Sequence, residues 1–234
     1  MKIEVFSDFT CPFCYIGKKQ LEQAIEEAGY AGQVEFEYKM YQLAPDASTE
    51  HAQPFYEAMV EKQHQSLKKV KEMTAEIAER AKEFGLIYNF DKIRMANTKK
   101  AHRLAKWVRQ FGKEEAYTEL LMAGYFTHGA NLNDEETLLS FISQLDLDKE
   151  EAKAILHSDA FTEILEIDQY HAQQIGVQSV PFFVFENKYG IIGAEPNEVF
   201  IKTLHQAAAI AGIQPVLKIV SESNNSCSDE SCKI

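Results

Sequence analysis

A chain of 234 residues, 45% hydrophobic and 26% charged, carries enough apolar material for a sizeable core, and no run of 18 apolar residues is present to cross a membrane. Its formal charge of −12 excludes nucleic acid and anionic membranes as natural partners. Four cysteines in two close pairs do not make a secreted disulfide framework, and no apolar leader follows Lys2, so a cytoplasmic protein is expected, in which close pairs serve catalysis, sensing or metal binding.

Ile3, Val5 and Phe6 predict a first strand. Leu21, Ala24, Ile25 and Ala28 then recur at helical spacing, and Gly29 stands where a helix stops. Cys11-Pro12-Phe13-Cys14 therefore falls at a strand-to-helix junction. A helix N-terminus leaves backbone N–H groups unpaired and carries roughly half a positive charge, which stabilises a thiolate at Cys11. Cys14 lies one turn further on the same face, and Pro12 suits a first helical turn because its missing N–H would have had no partner. An attacking thiol beside a resolving thiol supplies the parts for thiol–disulfide exchange. The competing reading is half of a zinc site, but such sites place a second pair about 12 to 20 residues on, and here the next cysteine is Cys227.

Val34, Phe36 and Tyr38 alternate with Glu35 and Glu37, predicting a second strand and so a βαβ unit with parallel strands. From Leu43 to Gly176 the pattern turns helical, with no strand predicted. Ala44 to Thr49 reads as a linker. Apolar stripes follow through Val70–Phe84, Ala101–Phe111, Tyr117–Gly124, Leu138–Leu145 and Phe161–Ile175, and are read as core. Asp148 with Glu151 three residues later resembles an acidic capping box that opens a short helix. Lys99, Lys100, Arg103, Lys106 and Arg109 cluster on one helix and read as a solvated face. None of the seven histidines has metal-motif spacing, and no metal ligand is assigned.

Strand pattern returns at Val180 to Phe185, turns through Glu186-Asn187-Lys188 and continues from Tyr189 to Gly193, predicting a hairpin. Pro196 opens a last helix that ends at Gly212. Pro181 at the strand entrance removes a ladder donor and suits an edge; the residues alone do not say whether its peptide bond is cis. Beyond Val220 the chain is polar and carries Cys227 and Cys232 as a C-x4-C pair.

Strand-CxxC-helix near the N-terminus, with Gly176-Val177-Gln178-Ser179-Val180-Pro181-Phe182-Phe183 before a terminal hairpin and helix, resembles the thioredoxin superfamily. The long helical segment between resembles the DsbA branch. Phe6 to Gly17 and Gly193-Ala194-Glu195-Pro196 are similar to its cytosolic FrnE-like subgroup. The resemblance implies an α/β thioredoxin fold from residues 1–42 and 176–215, a large all-helical insertion over 43–175 that caps the active site, and a tail over 216–234. It implies Cys11 as nucleophile, Cys14 as resolving thiol and a cis Pro181 facing them. It implies that the Val180 backbone pairs with an extended substrate peptide, with Phe9, Phe13 and Phe182 as an apolar platform. Cys227 and Cys232 are then an auxiliary redox pair. Strongly oxidising periplasmic relatives have His where this chain has Phe13, and a phenylalanine cannot stabilise a thiolate as a histidine does.

The expected function is therefore a dithiol–disulfide oxidoreductase acting on protein or small-molecule thiols and disulfides, with no resident cofactor and glutathione at most a co-substrate. Reduction, isomerisation or a response to oxidative stress suits a reducing compartment. Two alternatives stand beside it. One is a glutathione-dependent isomerase or transferase of the 2-hydroxychromene-2-carboxylate isomerase type, whose members typically carry serine in place of Cys11. The other is a redox-sensing binding module.

Overall fold

The computed structural model describes residues 1–216. Strand β1 (Lys2–Ser7) leads into helix α1 (Pro12–Glu27), and β2 (Glu35–Met40) follows. The insertion contains α2 (Phe55–Gln63), α3 (Leu67–Lys82), α4 (Lys99–Arg109), α5 (Glu114–Ala123) with a π-helical turn at Gly124–His128, α6 (Glu135–Gln144), α7 (Lys149–Leu156) and α8 (Thr162–Gln174). Strands β3 (Phe182–Phe185) and β4 (Tyr189–Ile192) and helix α9 (Asn197–Ala211) complete it. The sheet order is β2-β1-β3-β4, with β1 parallel to β2 and antiparallel to β3. This is the thioredoxin arrangement with a helical insertion. No described helix is long and apolar enough to cross a membrane.

Strand alternation sorts the sheet into two unlike faces. Ile3, Val5, Phe183 and Phe185 point to one side, where they pack with Leu21, Ala24 and Ile25 of α1 and Phe200 and Leu204 of α9. The other face begins apolar at Phe6, Phe182 and Val184, in the core shared with the insertion. Toward β2 it becomes charged, with Lys2, Glu4, Glu37 and Lys39 in one ion-pair group.

Helix α4 closes over that charged half, and here one expectation is corrected. Arg103 and Lys106 are buried, not solvated. Lys106 Nζ lies 2.7 Å from Asp168 of α8 and donates to the Tyr38 carbonyl. Arg103 donates to the carbonyls of Ile155, Ser158 and Ala160, where the end of α7 leaves acceptors without helical partners. Lys99, Lys100 and Arg109 remain at or near the surface. Several stripe residues are also not core: Met73, Phe111, Ile164 and Ile175 lie on the outer edges of their helices, exposed.

The segment between β2 and α2 is irregular but tied down. Asn97 donates to the carbonyls of Pro45 and Ala47, and Asn133 to that of Ser48, so amide side chains stand in for a sheet or helix ladder. Asp134 and Asp148 cap α6 and α7, the latter accepting from the N–H groups of Glu150 and Glu151 as the capping pattern predicts. Gly124 permits the π turn to lie on α6, since a Cβ there would come within 2.5 Å of Phe141.

Candidate active site

Cys11 is the N-cap of α1, and Pro12 occupies the first helical turn. No side chain accepts from the free N–H groups of that turn, and it holds no acidic residue. The positive end of a 16-residue helix is thus left to the sulfur. Cys11 Sγ donates to the Val180 carbonyl at 3.6 Å. The Val180–Pro181 bond is cis. Gly17 lets α1 approach this loop: a Cβ there would lie 2.9 Å from Pro181 Cγ.

Cys14 sits behind Cys11. Both are free thiols, 2% and 3% exposed respectively. Burial pushes the Cys14 thiol well above its ordinary range, reinforced by the adjacent Cys11; the Ser7 hydroxyl and the Asp8 backbone act the other way. Cys14 therefore keeps its proton while Cys11 is reduced. The insertion supplies the cover. Tyr88 donates from its hydroxyl to the Pro12 carbonyl at 2.7 Å and stacks on Phe126, ring centres 4.5 Å apart. On the other flank Arg80 of α3 lies 6.0 Å over the Phe13 ring and donates to the Ala194 carbonyl. Tyr15 and Lys18 of α1 bond Glu119 of α5, fixing the cover to the helix that carries the cysteines.

The comparison with protein families decides the grouping: a model described as DSBA-like thioredoxin domain matches residues 2–205. The chain belongs to the DSBA-like thioredoxin domain family. The uncharacterised protein YwbO of Bacillus subtilis strain 168 is 24% identical over 204 residues, covering 86% of this chain and 94% of that protein. A probable DsbA oxidoreductase of Streptomyces coelicolor superposes with a TM-score of 0.83 at 29% identity, covering 100% of this chain and 99% of that one. A 2-hydroxychromene-2-carboxylate isomerase superposes with a TM-score of 0.64 at 16% identity, over 90% of this chain and 96% of that one. The cytosolic disulfide reductase DsbM of Pseudomonas aeruginosa with GSH gives 0.56 at 14%, over 91% and 98%. The last two likenesses are of fold.

Within this DSBA-like site the sequence-predicted residues divide. Cys11, Cys14, Val180 and Pro181 come together, and Phe13 stands exposed at the rim. Phe182 is half-buried, against Phe6 and over Gly190, lining a cleft with His171 and Ile175. Phe9 is no platform residue: it is buried, its ring stacked 4.3 Å from that of His102. Cys227 and Cys232 lie outside the described residues. Sequence reasoning passed over Ser7, Asp8 and His102. Asp8 is 1% exposed, accepts from the Leu43 N–H at 2.8 Å and faces His102 Nε2 at 3.5 Å. The available signal was the polar pair Ser7-Asp8 between the apolar residues Phe6 and Phe9.

Proposed function

We propose that this DSBA-like protein is a dithiol–disulfide oxidoreductase of the cytoplasm. The observation that carries the reading is Cys11 at the N-cap of α1, against the Val180 carbonyl, with a protonated Cys14 buried behind it. The Cys11 thiolate attacks one sulfur of a substrate disulfide, and the other sulfur leaves as a thiolate. Cys14 then attacks Cys11 Sγ, and the second substrate sulfur leaves. The substrate gains two electrons and two protons, and the protein keeps a Cys11–Cys14 disulfide. In a reducing compartment the forward direction is reduction or isomerisation.

Val180 offers backbone to an extended peptide in the manner of strand addition, and Phe13 offers apolar surface beside it. The near-complete cover of Cys11 supports a small or extended substrate, including a glutathione mixed disulfide, over a rigid folded surface. Alanine at Cys14 stops the second step, so substrates accumulate on Cys11. In cell extract the variant is expected to hold proteins through their own cysteines, released by dithiothreitol. Recovery of glutathione alone would move the reading to small-molecule chemistry.

The tail pair belongs to the same proposal as an auxiliary relay. Val216 donates to the Gly29 carbonyl at 2.7 Å, so the tail starts at the far end of α1 from Cys11. Sixteen helical residues put that end about 24 Å from the dithiol. The eleven residues from 217 to 227 reach up to about 36 Å. Cys227→Ser/Cys232→Ser is expected to slow reoxidation of the active-site pair several-fold; unchanged turnover and an unchanged oxidation profile remove the relay.

A further inference from the structure

Release of substrate requires Cys14 to give up a proton from a position with almost no solvent contact. Among the buried polar atoms left without a hydrogen-bond partner are Asp8 Oδ1, His102 Nε2, Glu114 Oε1 and Glu4 Oε2. Asp8 Oδ1 and His102 Nε2 lie 3.5 Å apart. Cys14 faces the Ser7 hydroxyl. Ser7, His102, Lys106 and Glu114 border one narrow cavity with room for about one water molecule. Glu114 also borders a second, open cleft at the surface with Arg109 and Glu115. Glu114 thus borders both the internal cavity and the surface cleft.

The cations around that cavity are already committed. Lys106 is held by Asp168, and Lys39 by Glu37 and Asp168. Arg109 approaches the other Glu114 oxygen at 3.9 Å and pairs more closely with Glu37. Glu114 and His102 are left as the ionisable groups of the cavity with an atom to spare, and His102 Nε2 already faces Asp8 Oδ1 at 3.5 Å.

We propose that Glu114 is the outer station of a proton route that carries the Cys14 proton through the Ser7 hydroxyl and the cavity beside His102 to the surface cleft. The inference rests on the dithiol reading above. In the resolving step the S–H bond of Cys14 breaks, its sulfur forms the bond to Cys11 Sγ, and the substrate thiolate leaves. The proton passes to Ser7 as Ser7 hands its own to a water molecule filling the cavity, which passes one on to Glu114 and so to solvent. Glu114 and Ser7 act through Cys14 and touch no substrate, so they are positioning residues. The surroundings of Glu114 support this placement. Burial raises the Glu114 carboxyl to about 7, further raised by Asp168 and Glu37 and opposed by Lys106 and Arg109. A group in that range accepts and releases protons readily near neutral pH.

The test separates the two steps in the full chain with Cys227 and Cys232 changed to serine. The reduced protein is mixed with dithiobis(nitrobenzoate). The first nitrothiophenolate released reports attack by Cys11, and the second reports attack by Cys14. Glu114→Gln is expected to leave the first release unchanged and slow the second about 10²-fold near neutral pH. The parent's second release should rise with pH through about 7, and the variant should lose that step. A second release with unchanged rate and pH profile overturns the route and leaves the dithiol reading standing. Absence of a second release from the parent overturns the dithiol reading, and the route with it. If Glu114→Gln slows both releases together, Ser7 decides. Slowing of the second release alone in Ser7→Ala, restored in Ser7→Thr, upholds the route; an unaffected Ser7→Ala rejects it.

Discussion

Serine at Cys11 will abolish disulfide turnover, by about 10³-fold or more, while leaving the protein folded and slightly more stable. The two effects have one cause. Cys11 is the N-cap of α1 and makes no side-chain capping bond. Serine is among the preferred N-cap residues because its oxygen accepts from an N–H of the first turn, a contribution of about 0.5–2 kcal/mol relative to a residue that cannot. Here it would occupy the same position and turn to the same N–H groups. A hydroxyl, however, neither ionises near neutral pH nor forms a bond that exchanges with disulfides. The helix end that favours a serine cap is the end that activates a cysteine. Denaturant unfolding should give a midpoint equal to or above that of the parent, beside a turnover assay at background. A variant that is both inactive and markedly less stable would mean that Cys11 holds the site together by packing.

Asp168→Ala carries the largest expected cost in stability, about 3–5 kcal/mol. Asp168 is 1% exposed and bonds Lys106 at 2.7 Å, Lys39 at 3.5 Å and the Met40 N–H at 2.9 Å. Removing it leaves the Lys106 ammonium, itself buried, with the Tyr38 carbonyl and without its ion-pair partner. A buried pair contributes little net stability when intact, because desolvation offsets the attraction; breaking it is costly because one charge stays behind. The pair joins α8 to α4 and β2, so the loss falls on the seam between sheet and insertion. Lys106→Met in the same chain removes the stranded charge and should recover part of the loss. Denaturation midpoints of the parent, both single variants and the double variant measure this directly. Additive single effects would deny the coupling.

How much of this was legible in the residues depended on the range of the interactions. The alternation at Val34, Phe36 and Tyr38, the hairpin after Pro181 and the CxxC at the head of a helix are local patterns, and the structure follows them. Helix α4 was misread because its basic residues look solvated until their partners are known. Those partners, Asp168 and the carbonyls ending α7, lie more than fifty positions away. Phe9 beside the cysteines looked like substrate surface, and only the arrival of His102 from α4 buries it. Helix α2 showed no stripe because Phe55 is its one buried residue. The cavity beside the site left the faintest trace of all, since Ser7 and Glu114, which both border it, stand more than a hundred residues apart in the chain.

The cover over the thiols also bears on survival under oxidants. Peroxide attacks solvent-accessible thiolates first, giving a sulfenic acid, and a second attack gives a sulfinic acid that the cell seldom recovers. Cys14, held neutral, offers no thiolate to the first event. It also stands directly behind Cys11, where it condenses with a newly formed sulfenic acid into a disulfide with loss of water. On the dithiol reading proposed above, the placement of Cys14 would turn the first oxidative injury into the same Cys11–Cys14 disulfide that substrate reduction leaves.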